Sequence, residues 1–307
     1  MRIVFFGTPE FAVPSLSMLL DSGEEVSAAV TQTDKRKGRE SRTTPPPVKD
    51  FALSSGIRIL QPRTVRDAGF IRELEGIAPD LIAVVAYGKI LPAEILALPP
   101  HGCVNVHASL LPQYRGAAPI QWAILNGEKK TGITTMLMDE GLDTGPILLR
   151  EEMDIIPDDT AETLGKRLAA LGASVLIKTI RRIQEGTLVP VPQAGVPSYA
   201  PPLKKEDGRI IWEKSAEEIR NFVRGMYPWP CAYCSLHGER IKIIKVAVLD
   251  GSGPPGRVEK AEGELIVGSK KGLVSIIELQ PQGRRLMTAR EFLRGRRLQE
   301  GVFFDEP

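Results

Sequence analysis

Three side chains suggest chemistry before any fold is assumed: Asn105 and His107, two residues apart in "NVH", and Asp143 in "DEGLDTGP". In an extended strand, residues i and i+2 face the same way, so the carboxamide and the imidazole would share one surface. An amide N–H can donate to an oxygen that becomes negative as a nucleophile adds to a carbonyl, an effect worth about 3–4 kcal/mol for one donor. Imidazole titrates near neutral pH and can hold or move a proton. A carboxylate folded back from the acidic turn would orient the ring, balance its charge and receive the proton lost by an attacking amine. Together these groups suit transfer of an acyl-like unit to an amine. "HASLLP" is not a GxSxG elbow and Cys103 has no evident base, so direct transfer without a covalent enzyme intermediate is expected. Two plainer readings stay open: Asn105 and His107 as a satisfied pair of core polar residues, and Asp143 capping its own turn.

Such residues need rigid strands beneath them. Short apolar, β-branched runs ("RIVFF", "EVSAAVT", "IRIL", "LIAVVA", "CVNVH", "GITTMLM") alternate with amphipathic segments in the first half. That alternation predicts an α/β fold with a doubly wound, mostly parallel, Rossmann-like sheet. Ligands of such sheets bind outside the carboxyl ends of the strands, where "CVNVH" ends in His107. A helix is predicted from Thr160 to Gln184, with Asp159 and Glu162 as its start signal and Gly186 as its stop. The proline-rich stretch that follows cannot continue a helix. Beyond it, Ser215 and Glu218 form a capping box, and runs such as "RIKIIKVAVL", "ELIVG" and "LVSIIEL" predict a small antiparallel, OB-like β-barrel, with a last helix opening at Thr288. The expected organisation is a catalytic domain at 1–187, a linker at 188–206 and an OB-like domain at 207–307.

At 307 residues, 42 % hydrophobic and 25 % charged, the chain has the composition of a globular protein with two domains. "MRIVFFGTPEF" runs directly into a strand, and no stretch approaches the roughly 20 apolar residues of a membrane span, so a cytoplasmic setting is expected. Three cysteines do not make a disulfide framework; Cys231 and Cys234 have CxxC spacing, but no second pair follows and only His237 is near, so free thiols are expected. The scattered His101, His107 and His237 suggest no metal site. "FFGTPEF" has one glycine, which argues against a dinucleotide-dependent oxidoreductase. The net charge is +2, yet residues 204–307 hold 19 Lys+Arg against 15 Asp+Glu, a mild surplus that hints at a polyanionic partner.

Four long motifs, "RIVFFGTPEFAVPSL", "VVAYGKILP", "GCVNVHASLLPQYRGAAPIQWAI" and "TGITTMLMDEGLDTGPIL", resemble those shared by folate-dependent formyltransferases. "RGAAPIQWAI", "SYAPPLKKEDGRIIW" and "YPWPCAYC" are similar to the methionyl-tRNA formyltransferase version, and the resemblance runs over essentially the whole chain. It implies transfer of the formyl group of 10-formyltetrahydrofolate to the α-amine of initiator methionyl-tRNA, with Asn105, His107 and Asp143 at the catalytic positions. It also implies a folate-contacting loop of Ser109, Leu110, Leu111 and Pro112, and a pterin pocket along Val85, Tyr87, Gly88, Ile90 and Leu91, with Arg115 and Gly116 helping to shape the site. For tRNA it implies a phosphate clamp of Lys35, Arg36, Lys37, Arg39 and Arg42, with Lys204, Lys205, Lys242 and Lys245 as backbone contacts from the second domain. The clamp loop departs from the family's usual PDRPAGRG-like pattern at Thr33, Lys35 and Arg36, whereas Gly38, Arg39 and "PPPVK" keep to it. No metal is implied, and a monomer is expected.

The alternatives are a related formyltransferase acting on a ribonucleotide amine or an amino sugar, and a non-catalytic RNA-binding protein. A purine-pathway enzyme would lack the second domain, and an amino-sugar enzyme is commonly fused to a dehydrogenase-like half. Intact Asn105, His107 and Asp143 speak against the non-catalytic reading.

Overall fold

The computed structural model describes residues 1–37, 42–296 and 298–305. Two compact units account for the chain: Met1–Pro119, Lys130–Asp154 and Gly165–Ala200 form the first, and Ile120–Lys129, Ile155–Leu164 and Pro201–Pro307 form the second.

The first unit carries strands β1 (Arg2–Gly7), β2 (Glu25–Val30), β3 (Lys35–Lys37), β4 (Arg42–Thr44), β5 (Ile59–Leu60), β6 (Leu81–Val85), β7 (Cys103–His107), β8 (Lys130–Leu137) and β9 (Ile147–Asp154). β3 and β4 pair as a separate hairpin, and the others form one sheet in the order β5-β2-β1-β6-β7-β8-β9. The five strands from β5 to β7 are parallel, whereas β8 is antiparallel to both of its neighbours. Helices α1 (Val13–Asp21), α2 (Pro47–Ser54), α3 (Ala68–Ile77) and α4 (Ala93–Leu96) lie between the parallel strands in the chain. The chain moves from β1 outward through β2 to β5 and then returns to β6 on the other side of β1. The order therefore reverses between β1 and β6, which opens a crevice at their carboxyl ends.

Beneath that crevice Phe6 is fully buried, edge-on to Tyr87 at 5.1 Å and to Phe70 at 6.3 Å. Burying one such ring contributes about 1.5–3 kcal/mol. Burial also pushes the Tyr87 phenol up to about 12.

Helices α5 (Pro119–Leu125) and α6 (Ala161–Gln184) follow. The α6 cap lies one residue beyond the position read from the sequence. Thr163 N–H donates to Thr160 Oγ1 at 3.2 Å and Thr160 N–H donates to Thr163 Oγ1 at 2.9 Å, so a second hydroxyl takes the place of the usual Glu or Gln of a capping box. Asp159 accepts from Ile156 N–H and the Thr163 hydroxyl instead. Gly186, at φ 64°, follows the last turn as expected.

Residues 188–200 differ from the expected linker, because they pack as part of the first unit. Prolines at 190, 192 and 197 keep the segment extended, and the intervening amides pair. Val191 and Ile147 exchange backbone hydrogen bonds at 2.8 Å, Arg115 N–H donates to Ser198 O, and Ala200 N–H donates to Arg115 O. The segment is a strap.

The second unit holds α7 (Ala216–Met226), β10 (Ala232–Leu236), β11 (Glu239–Leu249), β12 (Val258–Lys260), β13 (Leu265–Gly268), β14 (Leu273–Pro281), β15 (Met287–Thr288) and α8 (Ala289–Gly295). Its strands form a curled, OB-like antiparallel sheet in the order β10-β11-β14-β13-β12, with β15 on β14. Both expected capping boxes, Ser215 with Glu218 and Thr288 with Glu291, are present. The unit also gathers residues 120–129 and 155–164, because α7 binds them: Arg224 donates to Asp159 O at 3.0 Å, Arg220 donates to Pro157 O at 2.8 Å, and Gly225 makes room for Leu125. No helix among the described residues is long and apolar enough to cross a membrane.

Candidate active site

β7 delivers Asn105 and His107 to the same side of the sheet near its carboxyl end, flanked by β6 and β8. His107 is 6 % exposed, and its Nε2 lies 2.9 Å from the carbonyl oxygen of Tyr114. A carbonyl only accepts, so Nε2 carries the hydrogen and Nδ1 is the atom free to gain or lose a proton. Asn105 is half-buried, and among the described residues no side-chain hydrogen bond engages its carboxamide.

Asp143 folds back to meet them. Its Oδ2 lies 3.7 Å from His107 Nδ1 and accepts from the backbone N–H of Gly116 at 2.8 Å. A close polar pairing of the imidazole and the carboxylate is therefore present, though too long for a direct hydrogen bond. The turn that carries Asp143 is tightly built. Asp139 Oδ1 accepts from Gly141 N–H at 3.0 Å and from the Thr144 hydroxyl at 2.6 Å, and a Cβ at Gly145 would stand 1.8 Å from Leu137 O. Asp143 itself has φ 53°, a left-handed conformation that costs a non-glycine residue about 1–3 kcal/mol and persists only where neighbours hold it. Gly116 has φ 121°, and a Cβ there would stand 2.7 Å from Ala200 O, so "RGAAP" needs glycine at the position that donates to Asp143.

The loop after β7 is fixed from below. Ser109 and Leu111 are fully buried and Pro112 is buried, while Leu110 is partly exposed. Thr134 Oγ1 donates to Ser109 O at 2.7 Å and accepts from Leu111 N–H at 3.1 Å, and Arg150 donates to Leu111 O at 3.1 Å. The backbone of Ser109 and Leu111 is thus held in place, and the Ser109 hydroxyl donates to Gln113 O at 2.5 Å. Among the expected pterin-pocket residues, Val85, Tyr87 and Leu91 belong to the core beneath the crevice, whereas Gly88 is exposed and Ile90 is 71 % exposed. Ile90, Leu91 and Pro92 share a cleft of about 270 Å³ with Arg66, Ile71 and Glu140.

Thr134, Tyr114 and Gln193 were not anticipated. Thr134 acts from the middle of an apolar run, Tyr114 contributes its carbonyl, and Gln193 sits in a proline-rich stretch; none of these has a signature in the chain. Gln193 Nε2 donates to the carbonyls of Asp143 and Gly145, each at 2.8 Å, and its Oε1 accepts from Arg115.

For the expected clamp, the backbone of Lys35, Arg36, Lys37 and Arg42 lies in the β3–β4 hairpin, with Lys37 opposite Arg42. Arg39 falls outside the described residues. In the second unit Lys204, Lys205, Lys242 and Lys245 are exposed. Lys242 and Lys245 are an odd number of residues apart, which would face them oppositely on a regular strand; an irregularity between Ile243 and Lys245 shifts the register and leaves both outward.

Cys103, Cys231 and Cys234 are buried free thiols. Burial pushes Cys103 up to about 12 and raises the other two, which is the opposite of what a reactive or metal-binding thiolate needs.

Comparison with known proteins agrees with this architecture. The formyl transferase family profile matches residues 1–180, and that of the formyl transferase C-terminal domain matches residues 202–297. The methionyl-tRNA formyltransferase of Thermodesulfovibrio yellowstonii is 55 % identical over 300 residues, covering 98 % of this chain and 97 % of its own. That of Pelotomaculum thermopropionicum is 50 % identical over 310 residues, covering 100 % and 99 %. Among solved structures, the N-formyltransferase of Helicobacter canadensis in complex with folinic acid and dTDP-3-aminofucose superposes with a TM-score of 0.68 at 21 % identity, over 90 % of this chain and 98 % of its own. The methionyl-tRNA formyltransferase of Clostridium thermocellum gives 0.57 at 21 % identity, over 80 % and 93 %. These two similarities establish the fold alone. Matched in both halves and about half identical to relatives along its full length, the chain belongs to the formyl transferase family, among the methionyl-tRNA formyltransferases.

Proposed function

We propose that the protein transfers the formyl group of 10-formyltetrahydrofolate to the α-amine of methionine carried by initiator tRNA, giving N-formylmethionyl-tRNA. The observation that carries the reading is the meeting of two distant stretches: Asp143 Oδ2 stands 3.7 Å from His107 Nδ1, on the strand that also presents Asn105. The relatives' names supply the acceptor, since proteins 47 % to 55 % identical over essentially the full length are named methionyl-tRNA formyltransferase.

The folate is assigned to the cleft at Ile90, Leu91 and Pro92. Ile90, Leu91 and Pro92 offer an apolar wall to a flat heterocycle, and Arg66 offers positive charge to the carboxylates of a folate tail. Bound there, the folate supplies an electrophilic formyl carbon. Asn105 donates to the formyl oxygen as negative charge gathers on it. The amine forms a new C–N bond while the folate's nitrogen–carbon bond breaks; the amine loses a proton and the departing nitrogen gains one. His107 Nδ1 holds and moves that proton, while Nε2 stays on the Tyr114 carbonyl and Asp143 balances the charged ring. No nucleophilic side chain of the protein takes part.

Acceptor tRNA is held by Lys35, Arg36, Lys37, Arg39 and Arg42 and by Lys204, Lys205, Lys242 and Lys245, contacts that neutralise phosphates without reading much sequence. A cytoplasmic monomer is the proposed setting. Lys242→Ala and Lys245→Ala are expected to raise KM for methionyl-tRNA, leave KM for formyl-folate unchanged, and flatten the dependence of log Kd on log salt by about 0.7–0.9 per lost contact. Filter binding over a range of salt concentrations checks this; an unchanged slope would remove these lysines from the interface.

Incubation with charged initiator tRNA and formyl-labelled folate is expected to place label on the methionine nitrogen. Parallel incubations with a ribonucleotide amine and an amino sugar cover the related acceptors, and label on either of these in preference to methionyl-tRNA would replace the reading.

A further inference from the structure

We infer that Gln193 is a positioning residue for formyl transfer: from the strap after α6 it locks the turn bearing Asp143 to the loop bearing Arg115. The inference rests on the catalytic reading of Asn105, His107 and Asp143.

The side-chain amide of Gln193 is used to capacity. Both Nε2 hydrogens are donated, one to Asp143 O and one to Gly145 O, each at 2.8 Å, and Oε1 accepts from Arg115 Nη2 at 2.7 Å and Nε at 3.2 Å. No other residue type meets all four demands. Glutamate has no donors when ionised, lysine and arginine have no acceptor, and asparagine is one methylene shorter.

The backbone on either side of Gln193 is anchored as well. Val191 pairs with Ile147, and Ser198 and Ala200 pair with Arg115, so the position from which the side chain reaches is fixed at both ends. The strap thus touches the chain after β7 and the chain before β9, and Gln193 is the side chain that joins them.

What it joins bears on catalysis. One hydrogen bond goes to the carbonyl of Asp143 itself, the residue held at φ 53°. That bond limits rotation of the Asp143 peptide and therefore where Oδ2 sits relative to His107 Nδ1, a separation of 3.7 Å. On the opposite loop, the next residue after Arg115 is Gly116, whose N–H holds the same Oδ2 at 2.8 Å. Gln193 therefore grips both the backbone of Asp143 and the neighbour of the group that holds its carboxylate. A shift of about 1 Å in a catalytic group can cost 10²-fold in rate.

The test compares full-length wild type with Gln193→Glu and Gln193→Met by steady-state formylation kinetics and thermal melting. Both variants are expected to lower kcat about tenfold or more, with KM for formyl-folate and for methionyl-tRNA within about threefold of wild type. Gln193→Glu is expected to be the slower of the two, although it keeps volume and can still pair with Arg115, because its carboxylate faces the carbonyl oxygens of Asp143 and Gly145. A space-filling role gives the reverse order. Wild-type kcat in Gln193→Glu, a change confined to KM, or the reverse order would each overturn the inference. If Gln193→Met does not fold, the near-isosteric Gln193→Glu carries the test. Transfer by wild type with unchanged kcat in Gln193→Glu removes this inference alone, whereas no transfer by wild type removes the proposed function.

Discussion

Asn105→Ala is expected to lower kcat for formyl transfer by about 10²–10³-fold, equivalent to roughly 3–4 kcal/mol of lost transition-state stabilisation. Asn105 lies on β7 between β6 and β8, so truncation leaves the sheet hydrogen bonds in place, and its carboxamide supports no described side-chain neighbour. The loss should therefore fall on kcat, with methionyl-tRNA binding and the melting temperature close to wild type. His107→Ala should be comparably slow, since it removes the group that carries the proton. Single-turnover formylation with saturating substrates, beside a binding assay, separates chemistry from binding. A wild-type single-turnover rate in Asn105→Ala would show that the developing negative charge is stabilised elsewhere.

Asp143→Asn is expected to lower kcat by about 10²-fold or more. The substituted side chain keeps an oxygen that can accept from Gly116 N–H, so the turn survives, but a neutral amide cannot balance a protonated His107 across the 3.7 Å gap. Asp143→Ala should be equally slow and also less stable, because the Gly116 N–H then loses its acceptor and the left-handed residue loses one of its restraints. The two variants together separate charge from architecture. Equal melting temperatures of the two variants would mean that the Asp143 side chain does not hold the turn; near-wild-type kcat in Asp143→Asn would mean that its charge is not used.

Much of this arrangement is legible in the sequence, because the signals are local. "CVNVH" reads as a parallel strand since burial on both faces demands an unbroken apolar run, and the polar residues inside it mark the exception. The capping boxes at Ser215 and Thr288 are legible because the hydroxyl and the carboxylate that close them lie three residues apart. β9 was missed because its exposure alternates along "ILLREEMD" at the edge of the sheet, where charged residues dilute the apolar pattern. The strap was read as a linker because proline signals only that a helix cannot continue; which partner the free amides find, at Ile147 and Arg115, depends on residues far along the chain. For the same reason the contacts of Gln193 with Asp143 and Arg115 could be seen only in three dimensions, being 50 and 78 residues apart in sequence.

The placement of the strap has a consequence for how the protein is made. Synthesis proceeds from the amino terminus, so His107 and Asp143 leave the ribosome well before Gln193 and Ala200 do. A nascent chain ending at 187 has every strand of the large sheet but lacks the segment that pairs with Ile147 and Arg115. The hydrogen bonds of the strap to Ile147, Asp143 and Arg115 therefore form only after translation has passed Ala200, and a fragment of the first unit excised for separate study keeps them only if it extends through that residue.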